Sequence, residues 1–248
     1  MFAMYTPNIT EFPSFSLKRL LTTCFGSVDK ELNACILIDL PDLQLMHDLA
    51  FLDEKSFQVQ KYAKKYFLDP LLDGVANEVG YSSVDFLAFK TTGGSNLDPD
   101  DEVTDATGSV LSFEQDVCPK YDIILAITDY SLTAPLTAMA KVHGFRGATL
   151  HGVNDIILGS GLAVDYNLIS EQAEVFRKTL DKTDSFELRF QVEDSSFTLN
   201  IDCNGQTAQK SHGLCPPGNP DIANLPAGEV YFVPESASGS FPFRYSDG

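Results

Sequence analysis

The chain has no tryptophan, no Cys-x-x-Cys pair, no apolar run long enough to cross a bilayer and few positive charges. Each absence removes a class of function. With 17 Lys and Arg against 35 Asp and Glu the net charge is −18, which repels phosphate backbones and anionic lipid, so nucleic acid and membrane surfaces are not expected partners. A membrane span needs roughly 18 consecutive apolar residues, and none occurs. Cys24, Cys35, Cys118, Cys203 and Cys215 are scattered and odd in number, which suits a reducing compartment better than a disulfide framework. Met1-Phe-Ala-Met-Tyr-Thr-Pro7 has no basic stretch followed by an apolar one, so no signal peptide and a cytoplasmic location are expected. The sequon Asn8-Ile9-Thr10 then carries no meaning. Gly-x-Ser-x-Gly, P-loop and His-Glu-x-x-His motifs are missing too, and buried structural thiols are the default for the cysteines.

What is present is an alternation of periods. Residues 34–40 form a short apolar run ending at Pro41, the pattern of a strand buried on both faces of a parallel sheet. Over residues 54–78, Phe57, Val59, Tyr62, Ala63, Tyr66, Phe67, Leu71 and Val75 recur near a helical period, with Pro70 marking a break or kink. Strands are expected at 84–89, 122–127 and 147–150, and a helix at 132–143; the polar, acidic stretch 91–102 has the composition of an exposed loop. After Tyr166 the alternation stops. A helix over 166–182 precedes two period-2 runs, 186–192 and 196–202, joined by Glu193-Asp194-Ser195 as a hairpin loop. Residues 213–220 carry three prolines and must be irregular, leading to a strand at 229–233.

The expected fold class is therefore α/β: an open, largely parallel, Rossmann-like sheet with helices over residues 1–160, then a smaller α+β lobe with an antiparallel hairpin over 161–248. In such sheets ligands collect beyond the carboxyl ends of the strands. Those ends present Asp39, Thr91, Thr92, Thr128, Asp129, His151, Asn154 and Asp155. A cleft lined by Asp129, His151 and Asp155 would bind a cation, a peptide amine or a hydroxylated ligand; the competing role of these residues is to cap helices and satisfy loop backbone. Gly159-Ser-Gly161 follows no obvious strand and opens no clear helix, so a dinucleotide site is not expected. Tyr231, Phe232, Phe241, Phe243 and Tyr245 cluster late in the chain, where they either grip an apolar side chain of a ligand or face the core.

The run Asn224-Leu225-Pro226-Ala227-Gly228-Glu229-Val230-Tyr231-Phe232-Val233-Pro234-Glu235 resembles the N-L-P-x-G/E-E-V-[FY]-x-x-P signature of the thermophilic, AmpS-type metallo-aminopeptidases, whose relatives include iron-dependent dihydroxypyridine ring-cleaving dioxygenases. The resemblance covers residues 154–242. It implies that Glu229 corresponds to one ligand of a two-metal centre completed much later in the family's chains. Here the only carboxylates after Glu229 are Glu235 and Asp247, and no histidine follows it; His47, His143, His151 and His212 all precede it. An intact metal centre, with Zn or Mn, is not expected from these residues.

The expectation is a non-catalytic, cofactor-free module that binds a peptide or small polar ligand, with Thr128, Asp129, His151, Asn154, Asp155 and Tyr231 as ligand contacts. It is similar to the accessory proteins that hold precursor peptides for a modifying enzyme in the biosynthesis of ribosomally made peptides such as the crocagins. A homodimer is implied by the family resemblance alone. The alternative is the amino-terminal fragment of a metal-dependent aminopeptidase or related enzyme, with Glu229 as its first metal ligand.

Overall fold

The computed structural model describes residues 12–27 and 30–243, so residues 1–7, the sequon Asn8-Ile9-Thr10, Tyr245 and Asp247 lie outside the described part. Helix α1 (Leu17–Phe25) opens on Ser16, whose Oγ accepts from the Arg19 N–H, and closes at Gly26, whose φ of 67° suits a residue without a Cβ. Strand β1 (Leu32–Leu40) follows, and then a run of 3-10 turns over Leu43–Asp53. The expected long helix is segmented: α2 (Gln58–Ala63) passes through π-type turns around Pro70, bends at Gly74 (φ 125°) and ends as α3 (Ala76–Val79). Proline lacks the N–H that would continue the ladder, which accounts for the wider turns beside it.

Strand β2 (Tyr81–Lys90) is followed by the acidic loop and then by β3 (Glu102–Asp105) and β4 (Val110–Ser112), a small antiparallel addition that the sequence pattern did not announce. Strand β5 (Ile123–Thr128), helix α4 (Thr133–His143), strand β6 (Arg146–His151) and the short α5 (Asp155–Leu158) complete the alternation. Helix α6 (Tyr166–Leu180) leads to the hairpin β7 (Ser185–Val192) and β8 (Ser195–Asp202), then to β9 (Gln209–Ser211), β10 (Ile222–Asn224), β11 (Glu229–Tyr231) and β12 (Ser236–Gly239). The hairpin loop is the pair Glu193-Asp194, with Glu193 in the left-handed region at φ 52°.

The main sheet has seven strands in the order β10-β6-β5-β1-β2-β3-β4. It is parallel from β10 to β2 and antiparallel beyond, the α/β class expected from the sequence. Strand side chains alternate between two cores: Ala34, Ile36 and Ile38 of β1 pack with α1, Phe67 and Tyr166, while Cys35 and Leu37 pack with Phe89, Phe113 and Leu136. Each buried Ile, Leu or Phe among them contributes about 1.5–3 kcal/mol through its removal from water. Gly147 lets β6 lie close to its neighbour, because a Cβ there would stand 2.2 Å from the Ile124 carbonyl oxygen.

The chain divides into two compact units, but not at the expected residue 160. The first runs to Ile169 and takes back Gly213–Ala227; the second holds Ser170–His212 and the chain from Gly228. Residues 213–220, expected to lead straight to the signature strand, instead return to the main sheet, where β10 pairs in parallel with β6. Three residues are too few to display a period, which hid this strand. In the second unit β12, β8 and β7 form one antiparallel sheet and β11 pairs with β9. Among the described residues no helix is long and apolar enough to cross a membrane.

Candidate functional site

The strand order reverses between β1 and β5, since β2 lies on one side of β1 and β5 with β6 on the other. Their carboxyl ends therefore flank the crevice where open α/β sheets receive ligands. Asp39, near the end of β1, is 2% exposed. Its Oδ1 accepts from the Asp129 backbone N–H at 2.9 Å and from Gln60 Nε2 at 3.0 Å, and its Oδ2 accepts from the Thr91 hydroxyl at 3.0 Å. Burial pushes the Asp39 carboxyl above its ordinary value and the Asp129 charge adds to this, while the three donors oppose both by favouring the ionised form.

Gln60, on α2, connects the two carboxylates. Its Nε2 donates to Asp39 Oδ1, to the Asp39 carbonyl at 2.9 Å and to Asp129 Oδ2 at 3.0 Å. Three acceptors around one nitrogen fix the amide orientation, because the reversed amide would set oxygen against oxygen. The Gln60 side chain is fully buried, and its Oε1 has no hydrogen-bond partner among the described residues. A buried acceptor without a donor is uncommon in folded proteins. Asp129 itself is exposed, so the arrangement is a surface carboxylate resting on an amide that rests on a buried carboxylate. Two residues along α2, Tyr62 stacks on Tyr66 at 5.3 Å, and the nearby Asp155 carboxylate pushes the Tyr62 hydroxyl above its ordinary value.

Two residues expected to touch a ligand have hydrogen-bond partners within the fold. Thr128 is buried and its hydroxyl donates to the Tyr130 carbonyl at 2.6 Å. Asn154 caps α5, with Oδ1 accepting from the Ile156 and Ile157 N–H groups, and its Nδ2 donates to the Gly152 carbonyl. His151 is exposed at the end of β6. Tyr231 lies in the second unit, half-exposed, and its hydroxyl donates to Gln209 Oε1 at 3.2 Å. Glu229 opens β11 in the same unit and is exposed. Among the described residues no three His, Cys, Asp or Glu converge on a position for a metal ion. No family model, curated protein or solved structure matches the chain.

The loop after β2 docks on the start of α4, where Asn96 Oδ1 accepts from the Ala134 N–H at 3.0 Å, so a protein group already takes that helix end. All five cysteines are buried and unpaired, and burial pushes the thiols of Cys24 and Cys118 up to about 12, well outside the nucleophilic range at neutral pH. A hollow of about 580 Å³ beside His47, Glu102, Thr104 and Gly108 contains neither Asp39 nor Asp129.

Sequence reasoning missed Gln60. The signal was available, since Gln60, Ala63, Phe67 and Leu71 follow one helical stripe and all four are buried. A polar residue on a core-facing stripe must find partners or carry a cost.

Proposed function

We propose that the chain is a non-catalytic binding module that receives a positively charged nitrogen, the amine of a peptide or of a small polar ligand, in the crevice between β1 and β5. The observation that carries this reading is the amide of Gln60 held between buried Asp39 and exposed Asp129. An ammonium at Asp129 meets a carboxylate whose position is set from beneath, so little ordering cost remains for the ligand to overcome. Its N–H groups supply the kind of donor that Gln60 Oε1 lacks. Asp155, at the start of α5, offers a second acceptor, and Tyr62 of α2 an aromatic surface beside it. The net charge of −18 favours the approach of a cation over the whole surface.

The wider role is an accessory protein that presents a peptide to a separate modifying enzyme, which rests on the resemblance carried by residues 224–235. Unpaired buried cysteines suit the reducing conditions of the cytoplasm for that work.

Calorimetric titration of the full chain with short peptides bearing a free amino terminus, each paired with its N-acetylated form, tests the reading. Free-amine peptides are expected to bind, acetylation and Asp129→Asn each to weaken binding by about tenfold or more, equivalent to about 1.4 kcal/mol, and raised salt to weaken it further. Equal binding of the acetylated forms, or indifference to Asp129→Asn, would overturn it. Tight Zn²⁺ or Mn²⁺ binding abolished by Glu229→Ala would favour the metalloenzyme fragment instead.

A further inference from the structure

The second unit carries a sheet edge whose sequence is complementary to itself. The edges of the β12-β8-β7 sheet differ in character. Strand β12 is four residues long and lies between Pro234 and Pro242, the short, proline-flanked form that discourages further pairing. Strand β7 is eight residues long, pairs with β8 without a register shift, and contains no proline and no lysine. Its outer side has no neighbouring strand among the described residues.

One face of this sheet is apolar and open. Phe186, Leu188, Phe190 and Val192 alternate along β7, opposite Ile201, Leu199, Phe197 and Ser195 of β8. Leu188 remains 39% exposed and Val192 46%, and the aromatic row continues from Phe190 to Phe241 and on to Phe243, itself 78% exposed. Glu187 and Arg189 lie on the other face, both accessible to solvent and in contact with each other along the strand.

We propose that β7 pairs antiparallel with β7 of a second copy of this chain, about a two-fold axis through Leu188. The segment Phe186-Glu187-Leu188-Arg189-Phe190 then matches itself when reversed. Glu187 faces the partner's Arg189, and Arg189 faces the partner's Glu187, which gives two opposite-charge pairs on the polar face. Phe186 faces the partner's Phe190 on the apolar face, and Leu188 meets its own counterpart on the axis. The outward N–H and C=O groups of β7 gain partners, and two three-stranded sheets become one continuous sheet with a shared apolar face. A one-residue slip would set apolar side chains against the charged row, so the pattern also specifies the register. This pairing is independent of the amine site in the first unit.

Charge reversal tests the register directly. In Glu187→Arg, or in Arg189→Glu, symmetry sets two like-charged pairs opposite each other, and self-association is expected to weaken by roughly tenfold or more. The double variant Glu187→Arg/Arg189→Glu restores both pairs and is expected to associate as the wild type does. The two single variants, each monomeric alone, are expected to form a mixed dimer on combination, because each supplies what the other lacks. The contact within each strand stays broken in that mixture, so recovery cannot come from repair of the fold. Sedimentation velocity of the full chain over a concentration series reads the wild type, the two single variants, the double variant and the mixture. A wild type that stays monomeric, including one that is free to take an extended peptide at this edge, or single variants that dimerise like the wild type, would overturn the proposal.

Discussion

The backbone N–H of Asp129 donates to the buried carboxylate of Asp39 at 2.9 Å, which ties the turn after β5 to the end of β1. The bond brings a second carboxyl group beside one that burial already disfavours as an ion, and Gln60 is the side chain that makes the pair tolerable. The two aspartates have different roles as a result. Asp39 positions, and Asp129 meets solvent.

Gln60→Leu keeps the volume and removes the donor shared by Asp39 and Asp129. It is expected to lower stability by about 2–4 kcal/mol, because a buried charged acceptor loses a hydrogen bond that water cannot replace. Gln60→Glu is expected to be worse at neutral pH and to recover as pH falls and the added carboxyl takes up a proton. The folded Asp39 carboxyl also binds its proton more tightly than the unfolded one, so its penalty is present at neutral pH and is relieved as pH falls through its raised value toward 3.8. Urea midpoints across pH measure both effects, and an unchanged midpoint for Gln60→Leu at neutral pH would remove Gln60 from this role.

Arg146 holds three segments of the first unit together from the start of β6. Its Nη1 donates to the carbonyls of Phe25 and Cys215, each at 2.8 Å, and its guanidinium lies over the Phe25 ring. Arg146→Met leaves two buried carbonyls without their donor and is expected to cost about 2–4 kcal/mol. Chemical denaturation followed by circular dichroism checks this; a shift under about 0.5 kcal/mol, the size of an ordinary surface substitution, would show that the contacts are dispensable.

Glu174 anchors α6 within the second unit. It pairs with Arg177 at 2.9 Å and with Lys210 at 3.2 Å, and the Arg177 hydrogen bond foremost holds its carboxyl down at about 2, below the ordinary 4.5. A carboxyl depressed in the folded state contributes stability that is present above pH 4.5 and is lost as pH falls toward about 2. Glu174→Gln is expected to flatten that part of the acid unfolding profile and to leave the profile near neutral pH with its wild-type slope. An unchanged acid limb would show that the network is too exposed to matter.

The alternation of buried strands and amphipathic helices was legible in the order of residues, because side-chain periods of 2 and 3.6 are local properties of a backbone. So was the paired patterning of β7 and β8, with a turn at Glu193-Asp194 one residue shorter than expected because Ser195 pairs with Val192. Asp129 and Asp155 were identifiable as residues following strands of a Rossmann-like sheet. What local order could not contain was the contact between positions far apart in the chain. Gln60 reaches Asp129 across 69 residues of sequence, and Ile222–Asn224 joins β6 from a segment that follows the whole of β9. Those partners are chosen by how the layers stack and by which buried polar groups still require a donor, and that choice exists only once the core has closed. The sequence by itself determined the class of fold, the acidic surface and the self-complementary row of Glu187 and Arg189. Tertiary structure alone decided that Thr128 turns inward and Asn154 caps α5, that Asp39 is bonded to Gln60 and the Asp129 backbone, and that β7 stands at an edge, because burial and pairing are properties of neighbours in space.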